Sequence, residues 1–155
     1  MKVYLVRHAE EGQGGSLSRK GQEQALDLAR WLGDKSIRAL YSSDRKRARE
    51  TAEIAAPTLE LESKILSRMD EVREVKPMES LDEARERGER GLLQAVGKNP
   101  GQNIVLVMHS KLIRQLLAKL ELKEFVEGED LPNAGIVVLD YQEGKFKLLD
   151  YALVP

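Results

Sequence analysis

Asn103-Ile104-Val105-Leu106-Val107-Met108 is an almost unbroken apolar run, ended at once by His109, Ser110 and Lys111. A strand with one wet face alternates apolar and polar residues, whereas a run without alternation marks a strand covered on both faces, as in parallel sheets. The N-terminal Lys2-Val3-Tyr4-Leu5-Val6-Arg7 has the same character and also stops at a histidine, His8, ahead of Gly12, Gly14 and Gly15. Arg38-Ala39-Leu40-Tyr41-Ser42-Ser43 is a third strand candidate. Helical patterns lie between. Ala25, Leu28, Ala29 and Leu32 recur at three- and four-residue spacing, with Ser18 as cap and Gly33 as stop. The stretch 44–56 puts Ala48, Ala52 and Ala55 on one face, with Asp44 as cap and Pro57 as stop. Ser80-Leu81-Asp82-Glu83 is a capping box opening a helix through Leu92, Leu93 and Val96, and 110–120 carries Leu112, Leu116 and Leu117 at helical spacing. Segments 135–141 and 145–151 read as a strand pair across Gln142-Glu143-Gly144.

Alternating strands and helices predict an α/β fold: a three-layer sandwich, its central sheet mostly parallel, with helices on both faces. The 155 residues are one ordinary domain's worth, so a single domain over 1–155 is expected, with a charged, lid-like excursion at about 64–97. Lys+Arg 25 against Asp+Glu 26 gives a net charge of −1, so no global basic field draws the chain to nucleic acid or to an anionic membrane. Any anion must be caught locally. The absence of cysteine removes disulfides, thiol nucleophiles, thiolate metal sites and iron–sulfur clusters. The apolar start is cut short by Arg7 and His8, unlike a signal peptide, and a cytoplasmic location is expected.

Parallel sheets place ligands beyond the carboxyl ends of their strands, and both histidines of the chain stand there, with Ser42 and Ser43 at a third strand end. Arg7-His8 joins a permanent, fork-shaped cation to an imidazole that can attack phosphorus when neutral. Arg47 falls in the first turn of a helix, where the amides already favour anions; Thr51 shares its face, and Ala48 and Ala52 pack inward beside it. His109 mirrors His8, with Lys111 as a further cation nearby. These are the parts of a metal-independent phosphoryl-transfer site: nucleophile, fixed cations and room for a proton donor. Blander readings exist for each part. His109 could be a core histidine satisfied by the backbone. Arg45, Lys46, Arg47 and Arg49 could form a solvated or nucleic-acid-binding face, though Glu50 and Glu53 dilute it. A metal would need His8, His109 and a carboxylate such as Glu71 to converge beside arginines; no metal or other cofactor is expected.

Taken in order, Leu5-Val6-Arg7-His8-Ala9-Glu10, Leu17-Ser18-Arg19-Lys20-Gly21-Gln22, the 42–52 string, Val105 to Arg114 and Leu131 to Val137 resemble successive blocks of the histidine phosphatase superfamily, also called phosphoglycerate mutase-like. The resemblance spans nearly the whole chain and implies a histidine-phosphatase-like fold. It also implies that His8 becomes phosphohistidine while Arg7, Arg47 and His109 hold the phosphate; Ser110 and Lys111, from their place beside His109, are expected as further substrate contacts. The family's proton donor usually lies in a leucine-x-glutamate stretch after the second helix; Met69-Asp70-Glu71-Val72 is the nearest match, and Glu71 is preferred to Asp70. Three features depart from the pattern. Ala9 replaces the glycine after the first histidine, and Ser110-Lys111 replaces the small pair after the second. Glu11-Gly12-Gln13-Gly14-Gly15 replaces the polar residues that often follow the first motif in sugar-phosphate members, which puts ligation of a substrate carboxylate there in question.

Mutases must keep water from the phosphoenzyme, and members of that kind carry longer insertions over the site than this chain has. The expected activity is therefore hydrolysis of phosphomonoesters or of phosphohistidine, as in the compact phosphohistidine phosphatases. The expected partner is a phosphorylated small molecule or a phosphoprotein, with neither nucleic acid nor membrane; the oligomeric state is left open. A phosphoglycerate-mutase-type phosphotransferase and a non-catalytic phospho-ligand binder are the alternatives.

Overall fold

The structure is a computed structural model that describes residues 1–122 and 130–155. Its strands are β1 (Lys2–Arg7), β2 (Ile37–Ser42), β3 (Ser63–Ile65), β4 (Asn103–Met108), β5 (Ile136–Gln142) and β6 (Lys145–Leu153). Among the described residues four α-helices accompany them: α1 (Arg19–Leu32), α2 (Lys46–Leu59), α3 (Leu81–Lys98) and α4 (Ser110–Lys119). The sheet order is β3-β2-β4-β1-β5-β6. β3, β2, β4 and β1 run parallel to one another, while β5 pairs antiparallel with β1 and β6 antiparallel with β5.

Side chains alternate across a strand, and here both faces are covered. Val3, Leu5, Ile104, Leu106 and Met108 join Leu92 of α3 with Leu112 and Leu116 of α4 in one buried cluster. On the other face, Tyr4, Val6, Val105 and Val107 meet Leu28 and Leu32 of α1 and Ala48 and Ala52 of α2. This is the physical reason for the unbroken apolar runs of β1 and β4, and it gives the expected α/β architecture with helices on both faces.

Two local expectations differ from the structure. Asp44 does not cap α2: Arg45 holds the N-cap position without a side-chain cap. The Asp44 carboxylate lies 4.0 Å from Arg49 Nε, and its backbone N–H donates to Asp70 Oδ1 at 2.8 Å. Pro57 does not stop the helix, which continues to Leu59 before Glu60 closes it in a left-handed conformation, φ 54°. Proline disfavours helix at the residue before it and removes its own N–H, but the residues after it remain free to complete a last turn. The interval 64–97 holds the end of β3, a 3₁₀ turn at Ser67–Met69, an irregular segment, and most of α3, whose Ala84, Leu92, Ala95 and Val96 are buried. The capping box of Ser80 and Glu83 is present. No described helix is long and apolar enough to cross a membrane.

Candidate active site

β1, β4 and β2 are adjacent and parallel, so residues just past their C-terminal ends converge: His8 after β1, His109 after β4, Ser43 after β2. The imidazole centroids of His8 and His109 are 5.3 Å apart. Arg47, in the first turn of α2, lies against both rings. Its Nε donates to His8 Nε2 at 3.0 Å, and its Nη2 lies 3.4 Å from His109 Nδ1.

These contacts set the tautomers, because a guanidinium can only donate. His8 Nε2 therefore accepts with its lone pair, and the proton sits on Nδ1, donating to Ala9 O at 2.8 Å. His109 Nδ1 likewise accepts, so Nε2–H donates to Ser43 Oγ at 2.7 Å. Both rings are neutral near pH 7. Burial pushes His8 down to about 4, helped by Arg47 and Arg7 and opposed by the Ala9 carbonyl. Burial first, then His8, Arg47, Arg45 and Arg7, pushes His109 down to about 2.

Backbone ties hold the cations in place. Arg7 Nη1 donates to Leu131 O, in the segment leading to β5, while its buried Nε has no hydrogen-bond partner among the described residues. Thr51 Oγ1 accepts from Ala9 N at 3.0 Å and donates to Arg47 O at 2.7 Å, coupling the first turn of α2 to the residue after His8. Glu11 Oε2 lies 3.7 Å from Arg47 Nε and puts a carboxylate at the rim.

α4 poses a capping problem, since its N-cap is His109, whose side chain makes no cap bond. Glu71 supplies the missing acceptor from a distant segment: Oε1 takes the backbone N–H of Leu112 at 3.0 Å and that of Val72 at 2.9 Å. The Glu71 carboxyl is thereby held at the helix start that carries His109. Lys111 and Ser110 turn to carboxylates instead. Lys111 Nζ pairs with Glu74, and Ser110 Oγ lies 3.5 Å from Asp130 Oδ1. The structure thus gathers His8, Arg47 and His109, keeps Arg7 next to His8, holds Glu71 at the start of α4, and pairs Lys111 with Glu74. Sequence reasoning placed Ser43 at a strand end without a partner, met Glu11 only as a departure from the family pattern, and gave no role to the Leu131 carbonyl. For Ser43, the signal was its place past a strand adjacent to β4; for the Leu131 carbonyl there was none. Among the described residues, no group of three histidine, aspartate or glutamate side chains is placed to hold a metal ion.

The fold and this pocket define an α/β protein whose parallel strand ends present two imidazoles and two guanidinium groups, a chemistry suited to a tetrahedral oxyanion. The family model described as the histidine phosphatase superfamily (branch 1) matches residues 3–76 and 72–153, and the chain belongs to that superfamily. A relative named "Probable phosphoglycerate mutase GpmB", from Escherichia fergusonii, is 31% identical over 140 residues, 80% of this chain and 65% of its own. The chain thus spans just under two thirds of the length of the curated relatives it matches. Bacillus stearothermophilus YhfR superposes with a TM-score of 0.88 at 19% identity, covering 99% of this chain and 98% of that one. A phosphoserine phosphatase mutant from Entamoeba histolytica, solved with phosphoserine, gives 0.82 at 20% identity over 97% and 96% of the two chains. Identities this low carry the likeness of fold alone.

Proposed function

We propose that this chain is a phosphatase that hydrolyses phosphomonoesters or phosphohistidine through a covalent phosphohistidine on His8. The observation that carries the reading is the Nε2 lone pair of a neutral His8, facing Arg47 and 5.3 Å between ring centroids from His109. Substrate phosphate displaces the Arg47 Nε–His8 Nε2 bond and takes those guanidinium hydrogens itself. Its negative charge draws a proton onto His109 Nδ1, which then donates to a phosphoryl oxygen.

In the first step the His8 Nε2–P bond forms, the bond from phosphorus to the leaving oxygen (or, for phosphohistidine, the leaving nitrogen) breaks, and Glu71 gives its proton to that atom. In the second, water attacks phosphorus, Glu71 takes a proton from the water, and the N–P bond breaks to release phosphate. The two amides on Oε1 fix the Glu71 carboxyl and leave Oε2 for the proton.

The wild-type protein is expected to be labelled by substrate phosphate in an acid-labile, alkali-stable form, and His8→Ala to lose both label and turnover. Unchanged p-nitrophenyl phosphate hydrolysis by His8→Ala would refute the reading. Retained phosphate affinity in a wild-type chain that never becomes labelled would make it a binding protein instead. Glu71→Gln is expected to slow hydrolysis of poor-leaving-group esters by roughly 10²- to 10⁴-fold.

The name of the Escherichia fergusonii relative favours a second reading, phosphoglycerate mutase activity. The Glu11 carboxylate beside Arg47 opposes it, because a phosphoglycerate brings a second anion to that rim. Lys111 and Arg114 are already paired with Glu74 and Asp130. Incubation with 3-phosphoglycerate separates the two: free phosphate supports the hydrolase, and 2-phosphoglycerate without phosphate release the mutase. A small phosphorylated metabolite is the substrate class this reading favours, in line with the phosphoserine held by the Entamoeba histolytica neighbour.

A further inference from the structure

Glu71 lies in an irregular segment, and a side chain that must deliver a proton to one oxygen atom needs its backbone held within a fraction of an ångström. The amides of Leu112 and Val72 hold the carboxyl. What holds the chain on either side of it is Arg87, in the middle of α3.

Arg87 is only 20% accessible, and its guanidinium fork serves three partners. Nη1 donates to Arg68 O at 2.7 Å and to Asp70 O at 2.8 Å, the second being the residue before Glu71. Nε and Nη2 grip the Glu79 carboxylate at 2.7 and 2.8 Å. Glu79, with a side chain 2% accessible, closes the far end of the segment: its N–H donates to Arg73 O at 3.1 Å, and its Oε2 accepts from Arg73 N at 3.3 Å. One cation thus joins Asp70 to Glu79 and ties the intervening loop to α3.

Two glycines bring α3 close enough for this. A Cβ at Gly91 would fall 2.8 Å from Arg68 Cβ and 2.9 Å from Met69 Cε, and one at Gly88 would fall 2.9 Å from Leu116 Cδ2. Lysine could not replace the fork, since an ammonium on a flexible stem cannot hold two carbonyls and both oxygens of a carboxylate in one plane. A buried ion pair of this kind is weak evidence for a stabilising role, because desolvation offsets most of the attraction. Geometry is the better account of it.

We infer that Arg87, through its clamp on Asp70 O and Glu79, is a positioning residue for the proton donor Glu71. The inference rests on the proton-donor role proposed above, and the test separates the two. Single-turnover phosphoryl transfer to His8 is measured with p-nitrophenyl phosphate, whose leaving group needs little protonation, and with phosphoserine, whose alkoxide must be protonated.

Glu71→Gln should lose roughly 10²-fold or more on phosphoserine and far less on p-nitrophenyl phosphate. Arg87→Lys should reproduce that split in smaller form, at least tenfold between the substrates, with KM for each within about twofold of wild type. Glu79→Gln, which frees the far end of the loop but leaves Arg87 on Asp70 O, should show the same split more weakly. Turnover of p-nitrophenyl phosphate doubles as proof that each variant is folded. Equal losses on both substrates in Arg87→Lys and Glu79→Gln, or no loss, alongside a clear split in Glu71→Gln, would overturn the role of Arg87 alone. No split in Glu71→Gln would bring down the proton-donor assignment and this inference with it.

Discussion

A nucleophilic histidine has to be neutral, in one tautomer, and free of any partner it cannot exchange for substrate. His8 meets these conditions through residues of quite different legibility. The Ala9 carbonyl beside it holds the tautomer, while Arg47, many residues on, occupies Nε2 only through a hydrogen bond that an anion could take over. The same burial has a consequence for stability. In the unfolded chain both histidines titrate near 6.5; folded, they stay neutral until about 4 and about 2. Below pH 6.5 the unfolded state therefore binds more protons, and stability falls as pH is lowered through that window toward the folded values. Between pH 6.5 and 5, above most carboxylate titration, the loss is expected to be roughly 1.5 kcal/mol per histidine, read from urea unfolding at each pH. His109→Gln should remove about half of that slope; an unchanged slope would mean that the ring is solvated.

Helices here are set by contacts at their ends as much as by their periodicity. Ser18 caps α1 by accepting from Gly21 N at 3.0 Å, as the pattern predicts, and the same turn is pressed against the loop after His8. A Cβ at Gly21 would stand 2.1 Å from Glu10 O, a backbone atom that cannot swing away. Gly21→Ala should therefore destabilise the chain by about 2 kcal/mol or more, although alanine is the better helix former by about 1 kcal/mol. Gly97, in the last turn of α3, has nothing within 4 Å of its would-be Cβ. Gly97→Ala should raise stability by about 0.5–1 kcal/mol in the same unfolding assay. The starts of α2 and α4 read less well from sequence. Neither has a side-chain cap of its own, and at α4 the cap comes from Glu71, a residue that propensity would leave on the surface.

The sheet order sets β4 between β2 and β1, and that one topological fact gathers every strand-end residue of the pocket. An anion seated there binds only the folded chain, so inorganic phosphate should raise the unfolding free energy by about 2.7 kcal/mol at a hundred times its Kd. Arg47→Ala should abolish the shift while retaining the cooperative transition; a shift of equal size in the variant would place the anion elsewhere. Strand runs, helix periods, the Ser18 and Ser80 caps and the chemistry-bearing residues past the strands were all legible in the amino-acid order, because each depends on neighbours a few positions away and on whether a face is wet or dry. The meeting of His8 with His109 follows from the pairing of β1 with β4 and their tautomers from Arg47 on α2, while the pairing of Lys111 with Glu74 and the Glu71 and Arg87 ties depend on segments that only packing of α3 and α4 against the sheet brings into reach. Local order carries no record of those distances, since hydrogen-bond geometry between remote segments is fixed only when the core between them is filled.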